Sequence, residues 1–167
     1  GRITKNLEKA FEWYRKAAES DYPPAQNKIG DCYKYGKGSM RNLVDAAQWY
    51  RKAAEQGNKT AQFNLGNCYY YGHGVAKDLT KAAEWYWHAA LNGSKAAQNA
   101  LGDCYYYGKG REENSAQAVE WYRKAAEQGY AQAQYNLGYC YYIGEGIARS
   151  VSLAADWYHK AAEQGHS

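Results

Sequence analysis

Along residues 59–92 the apolar and small positions are spaced for a helix. Advanced by 100° per residue, Ala61, Leu65, Cys68, Tyr69 and Gly72 fall on one side, with polar or amphipathic residues between them. That spacing predicts an amphipathic helix, helix A, with this side as its core face. Gly72-His73-Gly74 breaks the pattern, and Asp78 stands where a helix N-cap belongs. From about Leu79 the positions Ala82, Ala83, Tyr86, Ala89 and Ala90 mark the buried face of a second helix, helix B, which stops at Gly93. Small residues at these spacings let two helices approach closely, and tyrosine rings fill the space that remains.

The hairpin recurs. Trp-Tyr stands at 13–14, 49–50, 85–86, 121–122 and 157–158, a period of 36 without insertion. In the same frame fall Gly30, Gly66, Gly102 and Gly138, the loop pairs Gly36/Gly38, Gly72/Gly74, Gly108/Gly110 and Gly144/Gly146, and Ala-Ala pairs starting at 17, 53, 89, 125 and 161. Asn6, Asn42, Asn114 and Ser150 share the N-cap position of Asp78, and Gly57, Gly129 and Gly165 share the stop position of Gly93. Units that bury a face only against their neighbours build a solenoid. The expected fold is all-α, a right-handed superhelical solenoid of antiparallel helix hairpins. It reads as one domain, with helix B of a partial repeat at about 6–20 and full repeats at 23–56, 59–92, 95–128 and 131–164. Gly1 falls where a preceding inter-helix loop would lie and "EQGHS" where the next helix A would begin, so the sequence is expected to be part of a longer array or to assemble through uncapped ends.

The unit resembles the Sel-one-like repeat, a relative of the tetratricopeptide repeat with a slightly longer period. Its pattern runs roughly A-x-x-x-L-G-x-x-Y-x-x-G-x-G-V-x-x-D-x-x-K-A-x-x-W-Y-x-K-A-A-x-x-G, and "AQFNLGNCYYYGHGVAKDLTKAAEWYWHAALNG" (61–93) follows it nearly residue for residue. "AQAQYNLGYCYYIGEGIARSVSLAADWYHKAAEQG" (131–165) follows it closely. Departures are Asp21 for the unit-ending glycine, Ser39 and Arg111 for the valine after Gly-x-Gly, and Trp87 for a basic or imidazole side chain. Disulfide-locked members carry two cysteines per unit, whereas this chain has one. The resemblance implies a scaffold that binds proteins or peptides along a curved surface.

Composition agrees with a folded domain: 46% of the 167 residues are hydrophobic and 23% charged. The large side chains are mostly amphipathic rings, 19 Tyr and 6 Trp against 2 Phe, which serve cores and interfaces alike. A net charge of +4 is spread along the chain with no run of five Lys/Arg, so nothing marks a nucleic-acid or anionic-membrane footprint. No apolar stretch approaches the roughly 18 residues of a membrane span, and no signal-peptide pattern is present. A start at Gly1 with Met40 as the sole methionine reads as a processed or excised chain.

Features that mimic chemistry read as architecture. Cys32, Cys68, Cys104 and Cys140 lie on core faces one unit apart, about 10 Å by helix packing, beyond the reach of a disulfide. They are expected as small buried thiols, and neither C-x-x-C nor paired His suggests a metal. The Gly-x-Gly loops lack the Walker Lys-Ser/Thr, follow a helix rather than a strand and repeat four times, which makes them turns. His73, His88, His159 and His166 fall at unrelated positions of the unit and no carboxylate pair repeats, so neither an enzyme nor a cofactor is expected. Glu12/Lys16, Glu120/Lys124 and Asp156/Lys160 read as weakly paired surface charges on helix B. Asn58-Lys59-Thr60 and Asn92-Gly93-Ser94 match the glycosylation acceptor pattern at the same turn.

A repeat protein keeps its framework constant and places specificity where its units differ. On helix A a stripe spaced i, i+4, i+7 lies roughly opposite the core face: Asn27, Asp31, Lys34; Phe63, Asn67, Tyr70; Asn99, Asp103, Tyr106; Tyr135, Tyr139, Tyr142. Tyr70 and Tyr106 fit either a filling role between successive A helices or a contact. Phe63 and the three tyrosines of the last unit form an interaction ridge. Trp87 fits either a second contact or a local packing change. The expected function is a non-enzymatic protein–protein interaction scaffold that binds a peptide or protein segment in the helix A groove. The alternatives are a carbohydrate- or cell-wall-binding repeat protein whose groove tyrosines stack on sugars, and a self-assembling module.

Overall fold

The computed structural model describes residues 2–165; Gly1, where a preceding inter-helix loop is expected, and His166 and Ser167, where the next helix A is expected to begin, lie outside the described residues. The chain forms α1 (Arg2–Glu19), α2 (Pro23–Tyr35), α3 (Leu43–Glu55), α4 (Lys59–Tyr71), α5 (Leu79–Leu91), α6 (Lys95–Tyr106), α7 (Ser115–Glu127), α8 (Ala131–Ile143) and α9 (Val151–Gln164). Among the described residues there is no strand. Even-numbered helices are A helices and odd-numbered ones B helices. Two compact units divide the chain, Gly1–Trp85 and Tyr86–Ser167, with α5 contributing to both. In the first unit α1, α2, α3 and α4 pack in sequence; in the second, α6, α7, α8 and α9 do the same.

Side chains at the predicted caps start the B helices. Asn42 accepts from Val44 N and Asp45 N, Asp78 from Lys81 N, Asn114 from Gln117 N and Ser150 from Leu153 N, each satisfying a donor that the first helical turn leaves unpaired. The A helices end in glycine turns. Gly36, Gly72 and Gly144 adopt left-handed φ, and the cysteine carbonyl one turn back accepts the following amides, as in Lys37 N to Cys32 O and His73 N to Cys68 O at 2.9 Å. The second loop glycine is fixed by close approach: at Gly74 a Cβ would overlap the Leu43 carbonyl oxygen, and at Gly146 the Ser115 carbonyl oxygen. The Gly-x-Gly loop therefore docks on the preceding B helix.

Alanines, one large aliphatic side chain per A helix and the helix B tyrosines fill the interior. The first unit gathers Phe11, Ala18, Ala25, Ile29 and Cys32, with Tyr33 and Trp49 against them. The second gathers Ala118, Val119, Tyr122, Ala125, Ala133 and Leu137 among others. Ile29, Leu101 and Leu137 are fully buried, each contributing about 1.5–3 kcal/mol. A polar ladder runs alongside. Gln26, Gln62, Gln98 and Gln134 are buried and donate to the carbonyls of Ala18, Ala54, Ala90 and Ala126 at 3.1–3.3 Å. Gln128 and Gln164 donate in turn to Gln98 and Gln134 at 2.7 Å. Sequence reasoning missed this ladder, although the identity of one residue in all four A helices carried it.

Three local expectations are corrected. α1 begins at Arg2, so Asn6 lies inside the helix rather than at its N-cap, because Arg2 stands where the other units place their second loop glycine. Gly165 keeps a right-handed φ of −79°, unlike Gly57, Gly93 and Gly129, and it donates to Ala162 O while the residue that would close the 6→1 bond lies outside the described region. Lys16, Lys124 and Lys160 sit over the rings of Trp13, Trp121 and Trp157 at 5.5, 4.4 and 4.2 Å rather than against the carboxylates four residues back. Asp21 does fill the missing-glycine position with φ +62°, its carboxylate accepting from Gln26 and Gln56.

Candidate functional site

The stripe residues of the first unit are partly framework. Asn27 is buried, against the expectation that it faces away from the core, and its Oδ1 accepts from Asn64 Nδ2 at 3.0 Å. Asp31 Oδ1 accepts from the Tyr50 hydroxyl at 2.8 Å, tying helix A to helix B of one hairpin. Lys34 is half-buried with its ammonium 5.0 Å from the Tyr35 ring centroid. Phe63, Asn67 and Tyr70 are half-buried on α4, and Tyr70 meets Tyr71 edge-on at 4.8 Å.

In the second unit the same division is sharper. Asn99 is buried, contrary to expectation, and accepts from Asn136 Nδ2 at 3.0 Å. Asp103 accepts from the Tyr122 hydroxyl at 2.7 Å. Burial pushes the Asp103 carboxyl above the ordinary carboxylate range, and burial beside this carboxylate pushes the Tyr122 hydroxyl far up. Tyr106 donates to Glu145 Oε2 at 2.8 Å, and Ser115 Oγ donates to Glu145 Oε1 at 2.9 Å. The reason for the correction is geometric. The stripe on α2 and α6 faces the next A helix, whose asparagine 37 residues further along answers Asn27 and Asn99, while the loop after α8 supplies Glu145 to Tyr106.

On α8 the stripe is open. Tyr135, Tyr139 and Tyr142 are 52%, 42% and 50% exposed, spaced i, i+4, i+7 along one ridge. Tyr139 stands where Asp31 and Asp103 anchor the helix B tyrosines of their hairpins, and Tyr158 instead packs against Tyr135 at 5.4 Å. Beside these rings lies a cavity of about 500 Å³ lined by Ala131, Gln132, Tyr135, Tyr158, Ala161 and Ala162.

Trp87 belongs to an exchange within the framework. In the first unit Arg51 of helix B reaches Tyr69, Nη2 to hydroxyl 2.6 Å with the guanidinium 6.0 Å from the ring centroid. In the second unit Trp87 holds the place of Arg51, and the loop residue Arg111, in the place of Val75, lies 5.6 Å from the Tyr105 ring centroid. The cation is supplied from the loop instead of the helix, which accounts for both departures together. Trp87 remains 37% exposed, edge-on to His88. On the helix B side, a 790 Å³ cavity beside Trp13 and Ser39 narrows to 390 Å³ where Val75 replaces the serine.

All four cysteines are buried and unpaired. Burial pushes the thiols of Cys68 and Cys140 up to about 11 and that of Cys104 to about 12, far from the range of a reactive nucleophile. Among the described residues no three His, Cys, Asp or Glu side chains gather as a metal would require, and no helix is long and apolar enough to cross a membrane.

Residues 1–22, 23–58, 59–94, 95–130 and 131–166 each match the model of the Sel1 repeat. The structure is similar to that of c5321, a protective antigen present in uropathogenic Escherichia coli strains, displaying an SLR fold: 40% identity, TM-score 0.92, covering 95% of this chain and 34% of that one. It is also similar to a Sel1 repeat protein from Oxalobacter formigenes, at 37% identity and TM-score 0.89, covering 95% of this chain and 63% of that one. Helicobacter pylori cysteine rich protein B matches at 33% identity and TM-score 0.63, over 80% of this chain and 96% of that one. The chain thus spans about a third of the length of the first relative and less than two thirds of the second. No curated protein sequence matches it.

Proposed function

The chain belongs to the Sel1 repeat family, and from that premise we propose that it is a non-enzymatic scaffold whose A helices, above all α8, bind a segment of a partner protein. Sel1 repeat proteins are non-catalytic scaffolds that mediate protein–protein interactions. The observation that carries the reading is the run of three rings, Tyr135, Tyr139 and Tyr142, spaced i, i+4, i+7 on one face of α8 at positions where α6 holds Asn99, Asp103 and Tyr106. Tyrosine gives a large amphipathic contact area at low entropic cost, which is why it concentrates at interfaces. The sugar-binding reading is weakened, because Asn27, Asp31, Asn99 and Asp103, the groups that would hold hydroxyls, already serve the framework.

The test is a capture experiment from native extract with the wild-type chain beside Tyr135→Ala/Tyr139→Ala/Tyr142→Ala and, as a control on another face, Trp13→Ala/Met40→Ala. All three are first matched for helicity and melting temperature. A partner retained by wild type and control but lost with the tyrosine variant is the expected result; equal retention by all three refutes the α8 face.

A further inference from the structure

At the end of each A helix an exposed ring meets the middle residue of the Gly-x-Gly loop. In the first unit the Lys34 and Lys37 ammoniums lie 5.0 and 5.4 Å from the Tyr35 ring centroid, and His73 stacks on Tyr71 at 5.5 Å. In the second unit Lys109 lies 5.2 Å from the Tyr107 ring centroid. Tyr35, Tyr71 and Tyr107 are 58%, 61% and 61% exposed, so the exposure belongs to the position within the hairpin and recurs from one hairpin to the next.

The two units differ in the charge of this edge. In the first, Arg41 and Lys77 run past the first glycine of each loop, their Cβ atoms 3.5 and 3.4 Å from where a Cβ on Gly36 or Gly72 would stand, and both are exposed. Lys34, Lys37, Arg41 and Lys77 form no ion pair among the described residues. The neighbouring carboxylates are engaged: Asp31 accepts from Tyr50, Asp45 from Asn42 and Asp78 from Lys81 N. In the second unit the places of Lys37, Arg41, His73 and Lys77 are held by Lys109, Glu113, Glu145 and Arg149, acids as often as bases, with Glu145 bonded to Tyr106 and Ser115 and Arg149 to the Tyr142 carbonyl. The helix dipole explains a cation in the last turn of helix A, but Arg41 and Lys77 immediately precede the N-caps Asn42 and Asp78, where the dipole favours acids. Their charge serves nothing inside the fold.

We infer that this edge of the first unit docks an extended acidic segment of a partner protein, independently of the α8 face. Lysine and histidine take the electron-rich faces of Tyr35 and Tyr71 and leave ring edges and hydroxyl donors, which complement carboxylates as the cations do. α2 and α4 touch through Asn27 and Asn64, and helices packed in this way run about 8–10 Å apart. A polyproline II segment rises about 3.1 Å per residue with three residues per turn, so carboxylates at i and i+3 share one side at about that spacing. One meets Tyr35, Lys37 and Arg41, the next Tyr71, His73 and Lys77. The protein-binding role of Sel1 repeats favours a polypeptide over an acidic glycan.

The test is titration of the isotope-labelled chain with a synthetic peptide of four Glu-Pro-Ser triplets. Saturable one-to-one binding is expected, with amide shifts centred on residues 34–41 and 71–77 and affinity falling as salt is raised. At matched melting temperature, Arg41→Gln/Lys77→Gln should weaken it about tenfold or more and Tyr35→Ala/Tyr71→Ala several-fold, whereas Lys109→Gln in the second unit should leave it unchanged. A peptide of the same composition with its glutamates in one block should bind several-fold more weakly. Absence of saturation, shifts spread over both units, equal binding of the block peptide or indifference to Arg41→Gln/Lys77→Gln overturns the inference. Tighter binding of polygalacturonate than of the peptide also overturns it and makes the edge a glycan site.

Discussion

Replacing Gly102 with alanine tests how the two helices of a hairpin are held together. A Cβ at 102 would lie 2.5 Å from Tyr122 Cε1 and 2.6 Å from Cδ1. The ring has no room to retreat, since Tyr122 is 2% exposed and its hydroxyl is anchored on Asp103 at 2.7 Å. Overpacking costs about 1–3 kcal/mol, and a contact this deep belongs at the upper end; alanine returns roughly 1 kcal/mol of helix propensity. The net expectation is a loss of about 2 kcal/mol, or about 4–8 °C in melting temperature for a chain of this size. Gly138→Ala is the internal control: its nearest ring atoms are 3.0 Å away on the half-buried Tyr158, so its effect should stay within about 1 kcal/mol of zero. Thermal and urea unfolding would be followed by both far-ultraviolet dichroism and tyrosine fluorescence, because repeat arrays can lose cooperativity and coincident transitions are required for the comparison. Gly102→Ala melting at or above wild type would refute the reasoning, since propensity alone predicts that sign.

Three further outcomes follow from the same geometry. Burial raises the Asp103 carboxyl above its unfolded value near 3.9, so its stabilising share is greatest below the ordinary carboxylate range and falls as pH rises through the folded value; between pH 7 and pH 4 the wild type should therefore gain stability relative to Asp103→Asn, as paired urea titrations would show. Native alkylation read by peptide mass spectrometry should be slow at all four cysteines, with Cys32, 9% exposed, reacting before Cys104, 2% exposed with its thiol near 12; the reverse order would mean that local opening rather than burial controls access. Trp87→Arg/Arg111→Val should restore the Arg51/Val75 arrangement with a coupling of about 1 kcal/mol between the two sites; additive effects in the double-mutant cycle would count against the exchange.

The periodic part of the molecule was legible because each device is local. Asn42, Asp78, Asn114 and Ser150 cap helices through amides two or three residues away, and the turn glycines are fixed by their own φ, so type and spacing carried both. The stripe was only half legible. A helical projection places Asn27 and Asn99 away from their own hairpin, but it contains no information on the next A helix, and Asn64 and Asn136 convert that outward direction into a buried junction. The same ignorance hid the roles of Asp31 and Asp103, whose tyrosine partners lie 19 residues away on helix B. Asn6 failed for the opposite reason: repeat register was applied where Arg2 takes the place of the second loop glycine, and local propensity carried the helix through. Tyr135, Tyr139 and Tyr142 stood out in the sequence as rings at positions the other units give mostly to polar groups.

The most direct measurement is a calorimetric titration of the purified captured partner into the wild-type chain and into Tyr139→Ala/Tyr142→Ala, at matched melting temperature. The account predicts a fall in affinity of at least about tenfold, as expected when interface rings are truncated. Affinity unchanged within error, with the fold intact, would contradict it and place the binding surface elsewhere than on α8.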